Sequence, residues 1–189
     1  MINGRYTTQV PRLFHFSEDR TISLFSPHIA HASNNREPAV WAIDEGHAAS
    51  YWFPRECPRA CCWAGGTPLS EAGRLLLGLG GAQRLHAIEA GWLRRVRDCR
   101  LYAYEFDPHP FKCEVPEAGY WTANHAIVPL PVTSMGDLLD RHVEAGIEFR
   151  IVRNLWPLID AIIAAGLDFS IIRKANAEPR QYESADLCL

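Results

Sequence analysis

Cysteine and histidine are the residue types of this chain best suited to metal or nucleophile chemistry, with six of the first and eight of the second. His28 and His31 (HIAH) together with Cys57, Cys61 and Cys62 (CPRACC) would offer nitrogen and thiolate donors to zinc. Structural zinc uses tight ligand pairs such as C-x-x-C, and C-x-x-x-C-C is off that spacing, so no metal is expected. One of these cysteines paired with a histidine would make a nucleophile of the Cys/His hydrolase type, its thiol proton taken by the imidazole. Spacing does not say which pair meets. The run Arg94 to Arg100 (RRVRDCR) is the one basic cluster. At the end of a helix such cations suit the exposed carbonyls. Read functionally, Arg55, Arg94 and Arg95 would meet a phosphate or a nucleic-acid backbone. There is no glycine-rich phosphate loop.

Composition narrows the classes. At 189 residues and 21.3 kDa the length suits one domain with a core of its own. A net charge of −3 provides no field for a duplex or an anionic membrane, which disfavours a nucleic-acid binder. No apolar run reaches the roughly 18 residues of a membrane span. The stretch Met1 to Val10 lacks the pattern of a secretory signal, so the cytoplasm is the expected place and no structural disulfide is expected there.

These residues need elements to position them. Alternation over Arg12 to Ser17 (RLFHFS) predicts a strand with Phe14 and Phe16 on one face and Leu13, His15 and Ser17 on the other. Ser26 to Pro38 reads as a long surface loop. Ala39 to Ile43 is an apolar strand, and Asp44 follows as the N-cap of a helix ending before Pro54, with Tyr51 on its inward stripe. Arg55 to Trp63 reads as another strand. Thr67 and Pro68 open a leucine-rich helix closed near Gly78. A second helix, to about Arg97, is read from Leu85, Ile88, Trp92, Leu93 and Val96 at helical spacing. Leu101 to Phe106 is a strand, short strands follow near Tyr120 and Ile127, and Ser134 with Asp137 forms a capping box for a helix stopped by Gly146. Ile147 to Val152 is a strand with Glu148 and Arg150 on one face, a pattern that any solvated sheet face produces. Asn154 caps a helix ended by Gly166, and Asp168 to Arg173 is the last strand. The mixture lacks strict alternation, so the expected fold is α+β: a single domain over 12–177 of twisted, mainly antiparallel sheets with flanking helices. Residues 1–11 read as an N-terminal extension and 178–189 as a flexible tail.

Three segments carry a resemblance: LFHFSED with FSP downstream, AVWAIDEGHAASYWFPRECP, and GIEFRIV followed by NLWPL and FSIIRKANA. Together they resemble a small bacterial family of uncharacterised proteins across about residues 12 to 177. The order of His15 on the first strand, Tyr51 after the second and Glu148 opening a later one is more remotely similar to the ADP-ribosyltransferase fold. Phe16 and Ser17 stand where that fold usually has glycine and threonine. The resemblance implies a transferase using NAD, a small nucleotide ligand, with His15, Tyr51 and Glu148 as catalytic residues and His15, Ser17, Tyr51 and Arg55 as cofactor contacts. Breaking the ribosyl–nicotinamide bond develops oxocarbenium-like charge, which a fixed carboxylate such as Glu148 would stabilise. Tyr51 would stack on nicotinamide, and neutral His15 would hydrogen-bond a ribose hydroxyl. Arg55, Arg94 and Arg95 meeting a phosphate or a nucleic-acid backbone would be similar to the RNA 2′-phosphotransferases, which share the fold. The alternative is a noncatalytic binding domain on the same fold.

Overall fold

Short runs of β-branched and aromatic residues between turn-rich segments favour many short strands over a few long helices. In a computed structural model, which describes residues 11–29, 37–65, 68–78 and 80–180, ten strands and four α-helices form two compact units, each built from two separate stretches of chain. The protein is α+β.

The first unit takes residues up to Trp52 and then Leu101–Met135. Its strands are β1 (Leu13–Ser17), β2 (Val40–Asp44), β5 (Tyr102–Phe106), β6 (Lys112–Val115), β7 (Tyr120–Ala123) and the two-residue β8 (Thr133–Ser134). They form one antiparallel sheet in the order β6-β7-β2-β1-β5-β8. One face carries a core of Leu13, Ala42, Tyr104, Phe106 and Phe111, onto which Phe25 packs edge-on. The solvent-side edge is tied by Arg12, whose guanidinium forks onto Glu105 with two contacts of 2.8 Å.

The second unit takes Phe53–Arg100 and residues from Gly136 onward. Its sheet has the order β10-β3-β4-β9, from β3 (Arg59–Trp63), β4 (Arg84–Glu89), β9 (Glu148–Val152) and β10 (Asp168–Ile172). Only the β4–β9 pair is parallel. Helices α1 (Glu71–Leu77) and α4 (Trp156–Ala165) cover the face carrying Ala60, Cys62, Leu85 and Ala87. The opposite face carries His86 and Phe149, which α3 (Leu138–Glu144) covers with His142, and α2 (Leu93–Asp98) packs on α3.

Five expectations change. The helix after Asp44 is a single 3-10 turn, Ala48–Tyr51, since Asp44 ends β2 and the chain turns back at once. Leu85 and Ile88 belong to β4, where every residue from Leu85 to Glu89 is buried. A strand buried on both faces loses its alternation, so an i, i+3 coincidence passed for a helix. Helix α1 is capped by Ser70, whose hydroxyl accepts the Gly73 N–H at 3.0 Å, whereas Thr67 falls outside the described residues. Ser134 sits in β8, and α3 is capped by Asp137, which accepts the Leu139 and Asp140 N–H groups at 2.8 and 3.1 Å. Asp137→Ala is expected to cost about 1 kcal/mol in urea unfolding. The left-handed glycines 146 and 166 that stop α3 and α4 are as expected, whereas the N-cap of α4 is Leu155, with Asn154 one residue earlier accepting the Trp156 N–H at 3.0 Å. The predicted extension and tail fall almost wholly outside the described residues.

Candidate functional site

Antiparallel register decides where the expected site residues point. His15 stands opposite Tyr104 and Leu13 opposite Phe106, so His15 shares the core face of the first unit. Its ring lies 4.9 Å from that of Phe25, and its Nδ1 is 3.3 Å from the Trp41 carbonyl, to which a protonated Nδ1 donates. The face of Leu13, His15 and Ser17 is therefore the buried one, and Phe14 on the other face lies under the Arg12 guanidinium at 5.0 Å. Tyr120 stands opposite Ile43, and so does Phe14, so Tyr120 and Phe14 share the face turned away from His15. Tyr51 reaches that face, its hydroxyl donating to the Tyr120 hydroxyl at 2.9 Å. His15 and Tyr51 are thus on opposite faces of one sheet and do not form a cluster.

Glu148 belongs to the second unit, on the α1/α4 face of its sheet. Its Oε1 accepts from Arg150 Nη2 at 2.6 Å and Nε at 3.1 Å, while Nη2 also donates to the Leu76 carbonyl at 3.0 Å. The pair fastens β9 to the end of α1. Ser17 closes β1 by accepting the Asp19 N–H at 3.1 Å. Arg55 is exposed in the turn before β3, and its carbonyl accepts from Arg173.

The cysteine readings fare as follows. Cys57, Cys61 and Cys62 are buried free thiols. Burial is the main cause that pushes Cys57 up to about 12 and Cys62 up to about 11, so neither supplies a thiolate at neutral pH. His28 lies in the first unit and these cysteines in the second, and His31 falls outside the described residues. Among the described residues no three His, Cys, Asp or Glu side chains group to hold a metal. In the basic cluster Arg94 pairs with Asp98 at 3.5 Å and Arg95 lies over the Trp92 ring, as expected of a solvated helix.

Two further groups of side chains stand at this end of β2, one on each face of the sheet. Asp44 Oδ1 accepts the His47 backbone N–H at 3.0 Å and lies 2.7 Å from His47 Nδ1. A carboxylate on Nδ1 fixes the tautomer and leaves Nε2 as the ring's acceptor. Gly119, whose φ is +69°, lets this pair sit against the backbone directly before Tyr120. Trp41 meets the Tyr120 ring edge-on at 6.1 Å. Its indole N–H is buried and has no partner among the described residues. Trp41, Tyr51 and Tyr120 form an ordered aromatic platform on one face of the sheet, whereas Asp44, opposite Leu13 in the ladder, lies on the other face. Asp-x-x-His immediately after an apolar strand was the signal for the Asp44–His47 pair. In chemical terms the platform can stack a planar ring, and the oriented imidazole can exchange a hydrogen bond with a hydroxyl at the end of β2.

The family of unknown function DUF6886 matches residues 14–177. No curated protein and no solved structure matches the chain.

Proposed function

The chain belongs to DUF6886, a family of unknown function, and from that starting point we propose that its first unit is a nucleotide-binding module that holds NAD by stacking, without transferring the ADP-ribose group. The observation that carries this reading is the half-buried Tyr51 ring, locked through its hydroxyl to Tyr120, with Trp41 edge-on to the Tyr120 ring. Ring stacking against a fixed aromatic is worth about 1 to 3 kcal/mol per base, and a locked ring loses little freedom on binding. Two features favour binding without transfer: His15 faces the other side of the sheet, and the Glu148 carboxylate is committed to Arg150. A carboxylate so neutralised gives less stabilisation to an oxocarbenium-like charge.

The test is calorimetry and thermal unfolding with NAD. A ligand that binds the folded state raises its stability by about 2.7 kcal/mol at about a hundredfold excess over Kd. Tyr51→Ala is expected to weaken binding by about tenfold or more, and Tyr51→Phe, which keeps the ring, to weaken it less. No shift with millimolar NAD rejects the reading. If wild type turns over NAD and Glu148→Gln does not, the transferase assignment replaces it.

A further inference from the structure

The second unit holds a separate site. Strands β4 and β9 are parallel neighbours, with Glu89 opposite Val152 at their carboxyl ends. Beyond β4 the chain enters the Ala90–Trp92 turn and α2, which packs on α3 over the His86 face. Beyond β9 it enters α4, over the Leu85 and Ala87 face. Two adjacent parallel strands whose connections leave toward opposite faces open a crevice at their carboxyl ends, the place where open α/β sheets take ligands. A crevice of about 430 Å³ is there, and Glu89, Gly91, Trp92, Ile151, Arg153 and Glu178 line it. That volume lies within the range of small-molecule sites.

The lining states what would fit. Glu89, only 3% exposed, forms part of the floor and accepts the Leu155 N–H at 3.0 Å and the Glu178 N–H at 2.9 Å. Both its oxygens are engaged, so it fixes the start of α4 and the segment at Glu178 instead of seeking a ligand. Trp92 offers a ring, and Arg95 lies 4.9 Å from its centroid. The guanidinium of Arg153 makes no ion pair among the described residues. Ile151, 47% exposed, supplies apolar wall. We infer that this switch-point crevice binds a planar aromatic monoanion of the aryl carboxylate class, its ring against Trp92 and its carboxylate on Arg153. The Glu89 charge is met by the Leu155 and Glu178 N–H groups, which leaves the Arg153 guanidinium as the cation in the lining for a ligand carboxylate. This site is independent of the NAD reading, which uses other residues in the other unit.

The probe is 1-naphthoate, titrated calorimetrically into the full chain beside the neutral 1-naphthylmethanol. Saturable binding is expected, about tenfold weaker for the alcohol and about tenfold weaker for naphthoate in Arg153→Gln, which removes the charge at an exposed position. Gly91→Phe is expected to block it, since a Cβ there meets no atom within 4 Å and the added ring narrows the mouth without forcing the backbone. Tyr51→Ala should leave naphthoate binding unchanged, which separates this result from the fate of the NAD reading. No saturable binding at millimolar naphthoate, equal affinity for the alcohol, or affinity unchanged in both Arg153→Gln and Gly91→Phe overturns the inference.

Discussion

Acidification from pH 7 to pH 5 is expected to destabilise the fold through two buried histidines, by at most about 2 kcal/mol each, measured by urea unfolding. His86 and His142 are both fully buried, with His142 Nε2 3.1 Å from His86 Nδ1. His142 Nδ1 lies 2.6 Å from the Leu138 carbonyl, which can only accept, so that nitrogen carries the proton. Neutral His142 then accepts at Nε2, His86 donates from Nδ1, and His86 Nε2 is a bare lone pair, buried and without a partner among the described residues. Burial, then the neighbouring His142 and the Arg84 and Arg59 cations, hold His86 well below the ordinary histidine range. Burial likewise lowers His142, against the opposing hydrogen bond to Leu138. The unfolded chain takes up protons near pH 6.5 and the folded chain does not, so stability is fully present above that pH and falls as pH drops below it. His142→Ala should cost about 3 kcal/mol at pH 7, because it opens a cavity and strands the His86 N–H. The double replacement His86→Leu with His142→Leu should cost less than that single change and flatten the acid dependence. The other histidines are common to both proteins, so equal slopes between pH 7 and 5 would contradict the neutral pair.

Gly119→Ala is expected to destabilise by about 2 to 4 kcal/mol, more than its conformation alone explains. At φ +69° any L side chain is strained by about 1 kcal/mol. A Cβ at this position would also collide with the His47 ring and lie 2.8 Å from Asp44 Oδ1. Gly146 has nearly the same φ, +66°, but a Cβ there meets nothing within 4 Å. Comparing the two alanine variants in urea isolates the crowding at the Asp44–His47 pair. Equal losses would mean that the imidazole moves aside freely and is not held in place by Asp44.

Strands and caps were legible in the sequence where local chemistry decides them. β1, β2, β5, β9 and β10 fall within a residue or two of expectation because alternation or a bounded apolar run marks each one. The glycine stops were readable for the same reason. β4 was not, since Leu85, His86, Ala87 and Ile88 are covered on both faces and carry no period. That one misreading hid His86 and its partner on α3. Among the site residues, the order His15, Tyr51, Glu148 was visible, but the face each occupies is set by pairing between distant strands, which the sequence does not display. Tyr120 comes beside Tyr51, and Gly119 beside Asp44 and His47, only through the β2–β7 ladder, so local spacing gave no reason to include them.

The chain's interleaving has a consequence for how the protein is made. Each unit is assembled from two stretches, and β3 pairs with a strand roughly a hundred residues further on. A ribosome that has released residues up to Arg100 has delivered β3 and β4 without β9 and β10, and β1 and β2 without β5. Neither sheet can close until later segments emerge, so nascent chains present unpaired strand edges for much of synthesis and invite chaperone capture or aggregation. For the same reason neither unit can be excised as one continuous fragment. Residues 53–100 alone carry a single strand pair, β3 with β4, and lack both of its neighbours in the sheet, β9 and β10.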